Sequence, residues 1–247
     1  MTFKDHFSPI ALRYSKFRPY YPDQLFEYLA SLAPSHEMAW DCATGNGQAA
    51  VGLARLFRRV IATDPSAEQV SFAAKDERIF YVIATAEQCC LRSNSADLIT
   101  VAQALHWFDL GRFYAEAKRV LRPKGLLAAW SYGWAQVGTP IDEIVKHLHD
   151  DVLGSYWLDE NRVAANGYLK LAFPFEEEDG PAFKMRAYWG LDEMTGYLMT
   201  WSAAERYKRA NGIDPVELVK EELAQVWGDG GVRREVSWEL NLRVGRA

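Results

Sequence analysis

The sequence predicts an α/β fold in which a doubly wound, mostly parallel sheet of seven strands ends in an antiparallel strand and carries an inserted helical and aromatic cap. Three observations predict it. The first half of the 247 residues alternates short apolar runs with helical patterns, as parallel strands with crossover helices do. A glycine-rich turn follows the first apolar run. Seven of the nine tryptophans lie between Trp130 and Trp238, so the second half has a different character.

The elements of the first half follow one another in a regular order. A helix is predicted to begin at Asp23, directly after Pro22. Leu25, Leu29 and Leu32 recur at the spacing of one helical face. Strands are then predicted at residues 38–40, 60–62, 79–84, 97–102 and 126–130, with helices between them at residues 47–57, 66–75 and 109–121.

The second half departs from this alternation. Thr139 and Pro140 are residue types that begin helices, and an irregular aromatic segment follows at about residues 156–175. The remaining elements are a strand at 183–189, helices within 191–210 and 215–227, and a final strand at 232–244. We expect a single domain over residues 1–247, with a core at about 22–131, 183–190 and 231–247, a cap at 132–182 and 191–230, and an N-terminal lid at 1–21.

Composition narrows the classes of partner and compartment. The net charge is −5 and no dense Lys/Arg stripe is present, which disfavours nucleic acid. The N-terminus lacks a signal-peptide core, and no apolar run is long enough to span a bilayer, so we expect a cytoplasmic protein without membrane contact. Three cysteines are too few for a disulfide framework. The acidic run at residues 176–179 is predicted to be a solvated loop.

The most informative segment is the turn at residues 41–48, DCATGNGQ, between the first strand and the next helix. Glycine there lets the backbone approach a ligand, and ligands of open parallel sheets bind at the carboxyl ends of strands. Gly45 and Gly47 with Ala50 also satisfy the dinucleotide pattern G-x-G-x-x-G/A, with Asp64 about twenty residues further on. Asp41 favours a different ligand, because its carboxylate would repel a pyrophosphate and attract an ammonium group.

Further motifs follow this turn in a fixed order. Ala86 and Glu87 come after the third strand, and the segments 91–99, 104–107 and 119–125 come next. This ordered series resembles the class I S-adenosylmethionine-dependent methyltransferases, in particular the small-molecule branch called methyltransferase type 11, whose fold is Rossmann-like. The resemblance spans about residues 10–130. Within it, the segments 14–22 and 103–108 resemble the subgroup that includes trans-aconitate methyltransferases.

The resemblance implies S-adenosylmethionine as cofactor, S-adenosylhomocysteine as product and a small-molecule acceptor. It implies that the turn holds the methionine part, that Asp64 binds the ribose hydroxyls, and that the loops after the second and third strands surround the adenine. The family usually has glycine where this chain has Ala43. The implied cofactor-binding residues are Tyr14, Arg18, Asp41, Ala43, Gly45, Gly47, Asp64, Pro65, Ala86, Glu87 and Gln103.

Two candidate catalytic residues, His106 and Trp107, follow the fourth strand, where the family presents side chains to the transferring methyl group. His106 is expected to orient an acceptor or to accept its proton, because imidazole titrates near neutrality. Arg18 lies in the predicted lid and is a candidate partner for a carboxylate of the cofactor or the acceptor, which makes a carboxylate acceptor one expectation.

No metal site is expected. Cys89 and Cys90 are adjacent and lack the gap of a zinc or redox pair, and His147 and His149 lie two apart on a helix and are expected to face solvent. Two other functions remain open at this point. One is a methyltransferase-like binding protein without catalysis, and the other is a nicotinamide-dependent oxidoreductase.

Overall fold

The strands form one mixed sheet. A computed structural model of the chain describes residues 17–247. The sheet order is β3-β2-β1-β4-β5-β8-β6, and β7 also pairs with β8. The strands are β1 (Met38–Cys42), β2 (Arg59–Asp64), β3 (Ile79–Ile83), β4 (Ala96–Ala102), β5 (Leu121–Tyr132), β6 (Glu176–Glu177), β7 (Phe183–Trp189) and β8 (Arg234–Arg246).

The α-helices cover both faces of this sheet and build the cap. Short 3-10 turns at Leu105–Trp107, Gly154–Tyr156 and Pro215–Leu218 and a π-helical turn at Leu148–Val152 connect them. The helices are α1 (Asp23–Leu32), α2 (Gln48–Ala54), α3 (Ala67–Ser71), α4 (Leu110–Val120), α5 (Thr139–His147), α6 (Asp159–Ala165), α7 (Leu191–Leu198), α8 (Ser202–Asn211) and α9 (Lys220–Trp227).

The pairing aligns the carboxyl ends of three neighbouring strands. β1 runs parallel to β2 and β4, and Asp41 lies opposite Ala62 on one side and Thr100 on the other. β5 continues the parallel sheet beside β4, whereas β8 is antiparallel to β5, β6 and β7. The turns that follow β1, β2 and β4 therefore meet at one edge of the sheet, as expected for a ligand site in an open α/β fold.

The predicted fold class is confirmed, although the sheet has eight strands where seven were predicted and β5 begins at Leu121, before the predicted strand at 126–130. α3 is much shorter than the predicted helix at 66–75, since it ends at Ser71. The segment predicted to be irregular contains α6. The acidic run also differs from the predicted solvated loop: Glu177 and Glu178 form ion pairs with Arg243 and Arg246, and two residues of the run pair with β8 as β6.

Two clusters of buried side chains fill the two faces of the sheet. Along β5, Leu126, Ala128 and Trp130 belong to one cluster, while Leu127 and Ala129 belong to the other, because successive residues of a strand point to opposite faces. The first cluster is continuous from helices α1 and α2 into the aromatic side chains of the cap. The second packs against α4 and includes residues of the segment that precedes β6.

A buried carboxylate joins the starts of β1 and β4. Asp97 is fully buried, and its oxygens accept hydrogen bonds from the backbone N–H groups of Glu37 and Met38 at 3.0 and 2.9 Å. Arg122 completes the arrangement with an ion pair at 2.8 Å. The side chain of Ser35 donates a further bond at 2.8 Å. This anchor fixes where β1 begins, and hence the position of its carboxyl end.

Two of the predictions lie partly beyond the part of the chain that the structure describes. Tyr14 and most of the lid at residues 1–21 fall outside residues 17–247. The division into core, cap and lid stays a prediction. Within residues 17–247, the helices are all too short or too polar to pass through a lipid bilayer.

Substituting alanine for Gly52 is expected to destabilise the fold. A Cβ atom at Gly52 would lie 2.2 Å from the ring of Phe26, so α1 and α2 would have to separate. Overpacking of this kind costs about 1–3 kcal/mol, and we expect a loss of that size in the free energy of unfolding. Urea denaturation measures it.

Gly111→Ala is the matched control, because Gly111 is an exposed position in α4 where the nearest atom would be 3.7 Å from the new Cβ. It should raise the free energy of unfolding by roughly 0.5–1 kcal/mol through helix propensity. Equal effects of the two substitutions would contradict the close packing of α1 on α2.

Candidate functional site

The turn after β1 has a backbone conformation that requires glycine at one position. Gly45 and Gly47 have φ values of +57° and +86°, in the left-handed region. A Cβ atom at Gly47 would lie 2.2 Å from the Tyr81 hydroxyl, so no side chain fits there. Ala43 also has a positive φ, +56°, and thus adopts a glycine-like conformation although it carries a methyl group.

Asp41 ties this turn to the sheet. Its carboxylate is buried and accepts hydrogen bonds from the hydroxyl of Thr44 in the turn and from that of Thr100 on β4, the latter at 2.7 Å. Burial raises the pKa of Asp41 to about 6, and the two threonine hydroxyls oppose that rise by stabilising the charged form. The carboxylate therefore holds the turn against the ends of β1 and β4.

Asp64, at the end of β2, holds the same turn from the other side. Its two oxygens accept hydrogen bonds from the backbone N–H groups of Gly45 and Ser66 at 2.9 and 2.8 Å. Asp64 is largely buried, with 7% of its surface exposed. Pro65 follows directly, and Ser66 caps α3 by accepting a bond from the Gln69 N–H at 3.2 Å. Asp64 thus joins the glycine turn to the loop after β2.

The predicted adenine-binding loop after β3 is fixed by a capping contact. Ala86 is buried. Glu87 accepts a hydrogen bond from the backbone N–H of Asp109 at 3.0 Å, and Asp109 caps α4. This contact holds the loop against the start of α4, and the role of Ala86 and Glu87 towards a cofactor stays a prediction.

Gln103 and His106 lie just beyond the end of β4. Gln103 has a positive φ of +56°, and its side-chain amide donates to the backbone oxygen of Tyr132 at 3.1 Å. His106 lies in the short 3-10 helix that follows. Its Nδ1 atom is hydrogen-bonded to the Tyr168 hydroxyl at 3.2 Å, and its ring packs on that of Trp107 with centroids 4.7 Å apart. Burial lowers the pKa of His106 to about 4, so the imidazole is neutral near pH 7.

Arg18 is brought to the same place from the N-terminal segment. Its guanidinium donates to the Tyr132 hydroxyl at 3.0 Å and to the backbone oxygen of Thr200 at 3.4 Å, and it lies over the ring of Tyr197 at 5.3 Å. Tyr132 therefore contacts Arg18 through its hydroxyl and Gln103 through its backbone oxygen. Tyr132 thus places the positive charge of Arg18 next to Gln103 at the end of β4.

A cavity of about 610 Å³ opens between the end of β4 and the cap. That volume is typical of sites for small molecules. Of the residues predicted for the site, it brings together Arg18, Gln103 and His106. Asp41, the glycine turn, Asp64 and the loop after β3 are not among its walls, nor is Trp107. Four aromatic side chains of the cap line it, namely Trp134, Trp157, Tyr197 and Trp201.

The cavity also contains residues that the sequence analysis missed. His149 was expected to face solvent, but its ring packs against Trp134, Trp157 and Trp201 with centroids 5.3, 4.7 and 5.6 Å apart. It lies in the π-helical turn at Leu148–Val152, and helical periodicity does not indicate such a turn. Tyr132 was missed because its role depends on contacts far along the chain.

Metal ligands are not assembled in the part of the chain that the structure describes. Within residues 17–247, no three His, Cys, Asp or Glu side chains are grouped so that they could hold a metal ion. Cys42 is buried, and burial raises the pKa of its thiol well above the usual range. Cys89 and Cys90 have no disulfide partner within those residues.

Comparison with known proteins gives consistent matches. The family model described as a methyltransferase domain matches residues 40–129. A Dictyostelium discoideum protein named as a methyltransferase is 35% identical over 229 residues, which make up 91% of this chain and 87% of that protein.

Solved structures extend the match to the whole fold. A protein of Anaeromyxobacter dehalogenans assigned as a type II methyltransferase is 40% identical with a TM-score of 0.87, over 93% of this chain and 98% of that chain. A protein of Methanococcus maripaludis described as an S-adenosylmethionine-dependent methyltransferase has a TM-score of 0.51 at 21% identity, over 73% and 91% of the two chains. This second likeness shows the fold alone.

Replacing Asp41 by asparagine is expected to change how stability depends on pH. Burial raises the pKa of Asp41 from 3.8 to about 6, so the folded protein binds this proton more tightly than the unfolded chain does. The contribution of this group to the free energy of unfolding should therefore fall by about 2 kcal/mol as pH rises from about 4 to about 6. Asp41→Asn should lack this fall, as measured by urea denaturation across that range.

Thr100→Val provides the control, since it removes a hydrogen bond that stabilises the charged carboxylate. The fall should then extend to higher pH than in the unsubstituted protein. A stability difference between Asp41→Asn and the unsubstituted protein that stays constant across the range would contradict the buried, hydrogen-bonded state of Asp41.

Proposed function

Because this chain belongs to the family of S-adenosylmethionine-dependent methyltransferases, we propose that it transfers a methyl group to a small molecule bound in the cavity between β4 and the cap. The observation that carries the proposal is the position of that cavity. Gln103 and His106 line it and lie a few residues beyond Thr100, whose hydroxyl bonds to the carboxylate that holds the glycine turn. The proposed cofactor cleft and the proposed acceptor cavity therefore share the end of β4.

The residues at the sheet edge fit S-adenosylmethionine. Gly45 and Gly47 give the turn two left-handed positions without side chains, and this part of the backbone would approach the methionine part. Asp64 lies at the end of β2, where its carboxylate is held against the turn and the loop that follows β2, and in that position it would accept hydrogen bonds from the ribose hydroxyls. Pro65, Ala86 and Glu87 would then flank the adenine, and Asp41 would attract the ammonium group through the turn. Tyr14 and Arg18 would cover the cofactor.

When bound, the cofactor supplies a methyl group already activated by its sulfonium. The chain has to align the acceptor and keep water away, and positioning of this kind contributes up to about 7–11 kcal/mol in favourable cases. Gln103 has a left-handed backbone conformation, and its side chain is hydrogen-bonded to Tyr132. These features fix the backbone at the end of β4, between the proposed cofactor cleft and the proposed acceptor cavity. Aromatic side chains of the cap exclude water from the acceptor.

His106 and Trp107 are proposed as the residues next to the reacting atoms. Because its pKa is about 4, His106 is a weak base, and Tyr168 fixes the orientation of its ring. We therefore assign it a hydrogen-bonding role towards the acceptor and not that of a strong proton acceptor. An acceptor that needs no base, such as a carboxylate, suits this environment.

A carboxylate acceptor is supported by Arg18. Its planar guanidinium matches a carboxylate in geometry and charge, and it lines the cavity beside Gln103 and Tyr132. By its motifs at residues 14–22 and 103–108 we place the chain in the trans-aconitate methyltransferase-like subgroup, and the carboxylate is the one feature that its proposed acceptor shares with trans-aconitate. The protein is proposed to act without nucleic acid, membrane or metal, in the cytoplasm.

Replacing Asp64 by alanine is expected to weaken the binding of S-adenosylhomocysteine. Hydrogen bonds to a charged group contribute about 1.5–3 kcal/mol each, so the dissociation constant should rise about 10- to 100-fold. Isothermal titration calorimetry measures it. Glu68→Ala is the control, because Glu68 is an exposed carboxylate on the neighbouring helix α3.

The same titration separates the proposed function from that of a nicotinamide-dependent oxidoreductase. The unsubstituted protein should bind S-adenosylhomocysteine and show no heat with NAD or NADP. Binding of a nicotinamide cofactor in its place would overturn the proposal. Asp64→Ala and Glu68→Ala proteins with equal dissociation constants would overturn the role of Asp64.

His106 is expected to stay neutral from about pH 5 upwards, because burial lowers its pKa to about 4. The ¹⁵N chemical shifts of its ring should then be constant between about pH 5.5 and pH 8. His106→Ala assigns the resonance and should leave the dissociation constant of S-adenosylhomocysteine unchanged. A ring that titrates near pH 6.5 would contradict the assigned role.

A further inference from the structure

His149 has surroundings unusual for a histidine near the surface of a helix. Its side chain is 32% exposed and contacts three tryptophan rings at once. The Trp157 indole N–H donates to the backbone oxygen of His149 at 3.0 Å, so the backbone and the ring are both held. The imidazole therefore has a fixed place in the wall of the cavity.

Asp150 favours one tautomer of the neutral imidazole, the one that has its proton on Nδ1. Its carboxylate lies 2.7 Å from Nδ1 of His149, and both residues line the cavity. When Nδ1–H donates to Asp150, the neutral ring has Nε2 as its remaining polar atom, and Nε2 is then a hydrogen-bond acceptor. The π-helical turn makes this pairing of adjacent residues possible, and such turns occur frequently at functional sites.

A continuous aromatic wall connects His149 to Arg18. The guanidinium of Arg18 lies 5.3 Å from the Tyr197 ring, Tyr197 lies 5.9 Å from Trp201, and Trp201 lies 5.6 Å from His149. Trp134 and Trp157 line the same cavity, and Trp134 is 36% exposed. The cavity thus has the guanidinium of Arg18 at one place, a hydrogen-bonding imidazole at another, and flat apolar surface between them, while Arg162 is a second arginine in its lining.

We propose that the acceptor is a planar aromatic carboxylic acid with a hydroxyl or N–H group remote from its carboxylate, and that His149, oriented by Asp150, is the residue that selects this group. The inference rests on the proposed function and specifies its substrate class. The carboxylate pairs with Arg18, the ring lies on the tryptophans, and the remote group donates to Nε2 of His149.

The charges near His149 select against a second carboxylate. Asp150 is an acid next to His149, and Glu239 is another acid in the lining, paired with Lys184 at 3.0 Å. Arg162 also lines the cavity, and its charge is paired with Asp159 at 3.9 Å. A remote carboxylate on the acceptor would be repelled by Asp150 and would bring no donor for Nε2. A hydroxyl or N–H group is neutral, so Asp150 does not repel it, and it donates a hydrogen bond to Nε2 of His149.

The experiment measures the binding of four probes to the protein saturated with S-adenosylhomocysteine, by isothermal titration calorimetry. The probes are 3-phenylpropanoate, 3-(4-hydroxyphenyl)propanoate, 3-(4-carboxyphenyl)propanoate and butanoate. The hydroxylated probe should bind about tenfold more tightly than phenylpropanoate, as expected for one hydrogen bond made inside a site. The dicarboxylate and butanoate should bind more weakly than phenylpropanoate.

Substitutions test whether His149 causes the preference for the hydroxylated probe over phenylpropanoate. His149→Phe keeps an aromatic ring among the tryptophans and removes Nε2, so the two phenylpropanoates should bind equally. Asp150→Asn should reduce the preference, because an amide orients the imidazole less strongly than a carboxylate. His147→Phe is the matched control, since His147 pairs with Asp151 on the same stretch of helix but does not line the cavity, and it should keep the full preference.

Each outcome has a separate meaning. Equal binding of the two phenylpropanoates by the unsubstituted protein, or a preference that survives His149→Phe, overturns the role of His149. Tighter binding of the dicarboxylate or of butanoate overturns the aromatic hydroxy- or amino-acid class, as does a failure of all four probes to bind. In these cases the proposed function stands if S-adenosylhomocysteine binds, and it fails only if that titration shows no binding.

Discussion

The structure depends on one short turn that two carboxylates hold from opposite sides. Asp41 binds the turn through the Thr44 hydroxyl, and Asp64 binds it through the N–H of Gly45. The two acids come from neighbouring parallel strands, whose carboxyl ends the sheet aligns. Because the turn is fixed to β1, β2 and β4 together, the backbone next to the proposed cofactor is preorganised before any ligand binds.

This preorganisation has an energetic cost that other parts of the fold offset. A fully buried carboxylate destabilises the folded state above its raised pKa, and left-handed backbone at Ala43 and Gln103 costs about 1–2 kcal/mol per residue. These two residues lie at the ends of β1 and β4, where the proposed sites meet, while Asn94, Lys124 and Tyr168 have left-handed backbone elsewhere. Continuous packing from α1 and α2 into the cap provides the compensating stability.

Much of the fold and of the proposed cofactor cleft follows from local sequence. The five strands of the first half are short apolar runs, and Asp41 and Asp64 stand at the ends of two of them, so their proximity follows from parallel pairing alone. The lining of the cavity could not be predicted from local sequence in this way. Tyr132 joins Arg18 to Gln103 across more than a hundred residues, and His149 turns inward through a π-helical turn that ordinary helical spacing does not reveal. Such contacts depend on how the cap folds back onto β4.

The most direct test of this account is a crystal structure with bound S-adenosylhomocysteine. The account requires the ribose hydroxyls to lie within hydrogen-bond distance of Asp64 and the sulfur to face Gln103 and His106, with the cavity left open for an acceptor. Product bound elsewhere on the protein, or product that fills the cavity while the glycine turn makes no contact with it, would contradict the central claim that this turn, held by two carboxylates, receives the methyl donor.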